Sequence, residues 1–241
     1  MNAVRNFRGD RLSSWPTTLG IAVTFLALAS PLTAADKGPT RQWNLPEARE
    51  VALGGPLGEA YDRGVKRLAL PPYDSAVYLR SDFSFETNRI FVNYSGDISG
   101  RFIQIASLVS PPGQMTPSAL AEVLNGLPNY QKADGHFGRD VDWNQPLEPE
   151  NSNAVLLPIF WGNSRLLAGL IDAYRAFGRE DCLAAAKRIG DFYIATAGRF
   201  LDPAREPEYR MTGSYAAGYV TDYFPGIEGL ALLHQTTRDP R

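Results

Sequence analysis

Two loop regions of this 241-residue chain hold the side chains that could do chemistry. The first runs Gln131-Lys-Ala-Asp-Gly-His-Phe-Gly138 and continues through Arg139, Asp140, Asp142 and Trp143. Carboxylates, a histidine and a tryptophan together suit a carbohydrate. A sugar offers hydroxyls to Asp, Asn and Arg and an apolar C–H face to an aromatic ring. Gly135 and Gly138 suit a tight turn that lets backbone approach a ligand. The same loop reads equally as a glycine-rich surface turn whose Trp143 plugs the core. The second region is Trp161-Gly-Asn-Ser-Arg165. Here Asn163 or Ser164 reads first as a helix N-cap, and Trp161 as core or sugar platform.

Further along, Tyr215, Tyr219 and Tyr223 surround Asp222, which also reads as a helix cap. Glu228 falls in the first turn of a helix, where the helix dipole stabilises a carboxylate without any function. His234 lies on a helix body and Cys182 on an apolar face, as structural residues. The expected wall of a sugar cleft is therefore Asp134, His136, Asp142, Trp143, Trp161, Asn163, Arg165, Asp222 and Glu228. A glycosidase needs two carboxyls about 5–5.5 Å apart for retention or 6.5–9.5 Å for inversion. Spacing along a chain does not fix spacing across a cleft, so the catalytic residues are unassigned. No Ser-His-Asp pattern, phosphate loop or dinucleotide fingerprint is present.

The elements that must hold these loops are helical. Pro56 to Leu68 places Leu57, Tyr61, Val65 and Leu68 on one face, with proline in the first turn. From Asp97, the residues Ile98, Phe102, Ile105 and Val109 recur at helical spacing. Thr116-Pro117 reads as an N-cap and first helical position leading Leu120, Val123 and Leu124 to a stop at Gly126. Ser164 to Phe177 carries Leu166, Leu167, Leu170, Ile171 and Tyr174, and ends at Gly178. Asp181 is expected to cap the next helix, whose face is Cys182, Ala186, Ile189, Tyr193 and Thr196. The last covers Gly226 to Thr237. Strand-like pieces are short, at Glu50 to Leu53 and Ile90 to Tyr94. The fold class is all-α, with six helices joined by loops.

Composition narrows the function. An apolar fraction of 44% with 21% charged residues is that of a globular chain. With 24 basic and 26 acidic residues the net charge is −2, which gives no electrostatic footprint for nucleic acid. One cysteine and two histidines exclude an internal disulfide and a Cys/His zinc cluster, so no cofactor is expected within this chain. Arg5, Arg8 and Arg11 precede the apolar run Leu19 to Leu32, and Thr33-Ala-Ala35 has the small residues of a cleavage site. The run is about 14 residues against the ~20 needed to span a bilayer, so a signal peptide over 1–35 is expected rather than a stable anchor. The expectation is a secreted or periplasmic protein with a mature part of 206 residues, 36–241.

Ala168-Gly-Leu-Ile-Asp-Ala-Tyr-Arg-Ala-Phe-Gly-Arg-Glu180 and Glu228-Gly-Leu-Ala-Leu-Leu-His-Gln-Thr-Thr-Arg-Asp-Pro240 align at an offset of 60. A helix-loop-helix unit recurring at that spacing suggests stacked helical hairpins. In the first copy a partner helix follows at once. In the second the chain stops at Arg241, so the register predicts that it ends in mid-fold.

Taken in order, Val51-Ala-Leu53, Gly100-Arg-Phe102, Lys132-Ala-Asp-Gly-His-Phe-Gly138, Trp161-Gly-Asn-Ser-Arg165 with its following helix, and Gly226-Ile-Glu-Gly-Leu230 resemble glycoside hydrolase family 127. The resemblance is to the N-terminal half of the catalytic domain of these β-L-arabinofuranosidase-like proteins, and it covers most of Leu45 to Arg241. It implies an (α/α)6 toroid of six hairpins, of which 36–241 would supply about half. It also implies a secreted glycoside hydrolase whose partner is an oligo- or polysaccharide. The family's histidines are replaced here at Arg101, at Asn163 and before Gly226. Its nucleophilic cysteine, zinc ligands and acid/base glutamate lie beyond the matched part, so zinc belongs to the family and not to this fragment, which is expected to be inactive alone. Two other readings stand beside it: a non-catalytic glycan-binding scaffold on the same barrel, or another six-hairpin activity such as an unsaturated glucuronyl hydrolase or polysaccharide lyase.

Overall fold

Helices are the only regular elements among the residues described by the computed structural model, 51–84, 95–111, 113–142, 157–200 and 225–241. The signal peptide expected over 1–35 and the strand expected at 90–94 lie outside them. Seven α-helices follow in order: α1 (Gly55–Arg67), α2 (Ala76–Ser84), α3 (Asp97–Val109), α4 (Ser118–Gly126), α5 (Leu157–Phe177), α6 (Glu180–Phe200) and α7 (Gly226–Thr237). A 3₁₀ turn at Leu127–Asn129 follows α4. All belong to one compact unit spanning Leu45–Arg241. No described helix is long and apolar enough to cross a membrane.

The all-α expectation holds, with corrections. Residues 51–54 form no strand, and α2 is an additional helix. It escapes periodicity because two of its buried residues, Ser81 and Asp82, are polar. Asp82 is buried because it caps α3 from outside: its Oδ2 accepts the Ile98 N–H at 2.7 Å and the Ser99 N–H at 3.1 Å. Along α3 the buried line is Ser99, Phe102, Ile103 and Ala106, which keeps Phe102 of the expected stripe but leaves Ile98 and Val109 half-buried and Ile105 outside. Ile105 is 47% and Leu108 53% exposed. On α1, likewise, Leu57 and Tyr61 of the expected core face are exposed. Helix α5 begins at Leu157, well before Ser164, because neither expected cap residue caps it. The Ser164 hydroxyl donates back to the Trp161 carbonyl at 2.7 Å. Helix α4 starts at Ser118, with Pro117 rather than Thr116 at the N-cap. Asp181 sits inside the first turn of α6, paired with Arg179 at 2.8 Å, and that guanidinium holds its carboxyl below the ordinary range.

The expected stripes of the two long helices form the core. Leu166, Leu167, Leu170 and Ile171 of α5 meet Cys182, Ala186, Ile189 and Tyr193 of α6, all fully buried. Phe160 stacks on Phe192 with centroids 5.2 Å apart and meets Tyr193 edge-on at 5.4 Å. The Tyr193 hydroxyl donates to the Phe160 carbonyl, so its polar end is satisfied in the core.

Helices α3, α5 and α7 run parallel, side by side. Their paired residues keep a nearly constant offset: Asp97 with Trp161, Gln104 with Asp172, then Arg165 with Glu228 and Arg175 with Thr236. Of these three parallel helices, α5 is followed by a helix, α6, that packs back along it as a hairpin, while α4, which follows α3, packs on α2. The first close approach in this row is set by glycine. A Cβ on Gly100 would lie 2.4 Å from the Arg165 carbonyl carbon, and one on Gly169 would lie 2.4 Å from the Gly100 oxygen.

The prediction is that Gly100→Ala forces these backbones apart and costs about 2–3 kcal/mol, read as a lower urea midpoint with unchanged slope. Gly64→Ala, where nothing lies within 4 Å of the added methyl, should instead stabilise by about 0.5–1 kcal/mol.

Candidate functional site

The sequence candidates divide between opposite faces of α5. Two residues along a helix are about 200° apart in direction, so Trp161 and Asn163 cannot share a surface. Asn163 faces the loop at 131–138. Trp161 and Arg165, with Asp172 three turns from Trp161, form one stripe toward α3 and α7.

On the loop side, the cluster fastens the chain to itself. Gly135 has φ of +101° and Gly138 φ of +119°, which glycine adopts without strain. The Lys132 N–H donates to the His136 carbonyl at 2.8 Å, closing the turn. His136 is 2% exposed; its Nδ1 lies 2.6 Å from Asp134 Oδ1 and its Nε2 lies 2.7 Å from the Arg139 carbonyl. Asn163 is fully buried, and its amide grips the loop. The Phe137 N–H donates to Oδ1 at 2.8 Å, while Nδ2 donates to the Phe137 and Ile159 carbonyls at 2.8 Å each. Gln131 ties the turn to α6 through the Ala185 carbonyl at 2.9 Å. At the rim, Lys132 pairs with Asp140 at 2.9 Å beside an open hollow of about 520 Å³ lined also by Tyr130 and Arg139. Asp142 is exposed at the end of this loop. Trp143 and Asp222 lie outside the described residues.

The other face is a polar band across three parallel helices. Asp97, at the start of α3, accepts the Trp161 indole N–H at 3.0 Å and the Arg101 Nε–H at 3.0 Å through one oxygen. Arg165 reaches across to α7 and pairs with Glu228 at 2.7 Å. Arg165 Nε is buried with no hydrogen-bond partner among the described residues. Lower in the band, Gln104 donates to Asp172 Oδ2 at 3.1 Å and Arg175 lies 4.0 Å from its other oxygen. Burial pushes the Asp172 carboxyl above the ordinary carboxylate range, with a smaller push from Glu228. Asp97, Arg101, Gln104 and Asp172 were absent from the sequence candidates. Their signal was the i, i+4 pair Asp97/Arg101 and the helical spacing of Trp161, Arg165 and Asp172.

Cys182 is buried at the start of α6, and burial pushes its thiol up to about 12, which suits an inert packing residue. Among the described residues no three His, Cys, Asp or Glu side chains gather in a way that could hold a metal ion. No family model, curated protein or solved structure matches the chain. The likeness to a glycosidase family therefore rests on the motifs alone.

Two predictions separate the clusters. Asn163→Ala leaves the Phe137 N–H and C=O without partners in the core and should cost about 2–3 kcal/mol, measured by urea unfolding. Asp172 has its folded-state pKa raised, so the fold binds that proton more tightly than the unfolded chain and ionisation at neutral pH lowers stability. Asp172→Asn should raise the thermal midpoint at pH 7. The advantage should vanish near about pH 3, where the carboxyl is protonated in both states.

Proposed function

We propose that the chain acts on glycans, with the polar band of α3, α5 and α7 as one wall of the sugar site in a helical-hairpin barrel. The supporting observation is the Trp161 ring held by Asp97 beside Arg101, with the Arg165–Glu228 pair on its other flank. Such a set offers an apolar ring face next to fixed donors and acceptors, which is what a pyranose or furanose ring requires. The three parallel helices, with α6 returning along α5, support the barrel reading, because stacked helical hairpins are its building unit. In this reading the protein is a secreted glycoside hydrolase, and β-L-arabinofuranosides are the first substrates to try.

One observation favours a second reading, a glycan-binding scaffold without catalysis. Each carboxylate of the band is already engaged: Asp97 by two donors, Glu228 by Arg165 and Asp172 by Gln104. A glycosidase needs one carboxyl that gives up its proton and a second that attacks or activates water.

The experiment is calorimetry of the chain against arabinosides, galactosides and uronides, with reducing-end release followed on the same panel. Binding of at least one class is expected, and Trp161→Ala should weaken it roughly tenfold or more with the helical circular dichroism unchanged. Release of reducing ends selects the hydrolase, and binding alone supports the glycan site that both readings share. Failure to bind any class would overturn both.

A further inference from the structure

His136 stands between two oxygens that both take a hydrogen from it. Its Nδ1 lies 2.6 Å from Asp134 Oδ1 and its Nε2 lies 2.7 Å from the Arg139 carbonyl oxygen. A carbonyl oxygen only accepts, so Nε2 carries a hydrogen. An ionised carboxylate likewise only accepts, and Asp134 Oδ1 already takes the His136 backbone N–H at 3.3 Å. The two ring contacts therefore need two hydrogens, and a neutral imidazole has one. With one missing, a nitrogen lone pair faces an oxygen lone pair at hydrogen-bond distance, at a residue only 2% exposed.

The charged groups around the ring, among the described residues, come from two elements. The loop supplies Asp134, Lys132, Arg139 and Asp140, of which Lys132 and Asp140 pair with one another at 2.9 Å. Helix α6 supplies Arg188, whose guanidinium donates to the Gln131 side chain at 3.1 Å and to the Lys132 carbonyl. Its other contribution is the uncharged Phe192 ring, 5.2 Å from the imidazole. Helix α5 brings the neutral Asn163 amide to the neighbouring Phe137. Asp134 is thus the anion that meets the imidazole directly.

We propose that Asp134 and His136 form a pH-sensitive clasp on the turn at 131–139. The clasp is shut while the imidazole carries both hydrogens. When one leaves for water, the N–H bond that held it is broken and the ring can satisfy one oxygen only. The closed turn uses the second proton and the open turn does not, so acid favours closure and rising pH opposes it. What the clasp controls is the seam of this turn with the long helices: the Asn163 grip on Phe137 and the Gln131 bond to the Ala185 carbonyl of α6. It does not rest on the glycan reading.

The sequence holds two histidines, His136 and His234, so a His234→Gln background leaves one imidazole to observe. The test is nitrogen NMR of that imidazole in the full chain, beside amide hydrogen exchange, from about pH 5 to about pH 9. At the acid end both ring nitrogens should carry hydrogen, with the Lys132 and Phe137 amides protected. As the ring loses its second hydrogen, protection of those two amides, corrected for intrinsic exchange, should fall roughly tenfold or more. The Leu170 and Ile171 amides in the middle of α5 should keep theirs. Asp134→Asn should abolish the dependence, because a side-chain amide can donate to Nδ1 and a singly protonated ring then suffices. Protection of the turn that is unchanged across the range, a closed turn around a ring with one hydrogen, or an Asp134→Asn turn that still opens as pH rises would each overturn the proposal.

Discussion

The backbone contact between α3 and α5 at Gly100 and Gly169 governs where everything polar in this molecule ends up. With no side chain at either position, the two helices run in parallel at a separation that ordinary residues would not allow. At that separation Trp161 reaches Asp97, and Gln104 reaches Asp172. A wider spacing would put water between each pair, and the indole and the amide would have no reason to hold fixed directions. Asp82 completes the arrangement from behind: by accepting the Ile98 and Ser99 N–H groups it fixes where α3 begins, and so which residue faces Trp161.

The helices most legible in the sequence were those whose stability comes from one uninterrupted apolar stripe. Residues 166–171 and the face of α6 through Cys182, Ile189 and Tyr193 are of this kind, and their burial follows their period. Legibility failed where a buried polar residue does the work of an apolar one. Helix α2 turns inward on Ser81 and Asp82, and Asn163 lies fully buried in the body of α5. In each case the partner is distant in sequence: Asp82 serves α3, and Asn163 serves the loop at Phe137. Propensity rules assign such residues to local caps and turns, and nothing local reports a backbone group waiting 17 or 26 residues away.

The same reasoning divides the candidate site. His136 and Asp134 looked chemical because histidine and carboxylate were close along a loop. Their closeness instead closes the turn, with both ring nitrogens engaged and the imidazole packed 5.2 Å from the Phe192 ring. Trp161 read as core or sugar platform, and Asn163 or Ser164 as a cap, because they precede an apolar run. Since α5 begins earlier, Trp161 and Arg165 are mid-helix and share a face, and α3 and α7 bring further charged groups to it. The chemistry of the band is thus a product of helix register. Because Trp161 and Asn163 are about 200° apart on the helix, Trp161 meets α3 while Asn163 meets the loop at Phe137.

The repeat explains why the ends of the row differ from its middle. Within the row only α5 has a parallel neighbour on both sides, and its apolar stripe is fully buried. Ile105 and Leu108 on α3, Ile194 on α6 and Ile227 on α7 are the exposed apolar side chains of the row. Solvent contact for these side chains costs roughly 25 cal/mol for each Å² of apolar surface, whichever end it occurs at. The two turns at Gly178 and Arg238 show how closely the units copy one another, down to a left-handed residue that in the second case is an arginine. An arginine at positive φ is held there by its surroundings rather than by preference. The turn geometry after α5 is therefore repeated after α7, where Arg241 folds back to pair with Asp191 of α6 at 2.9 Å.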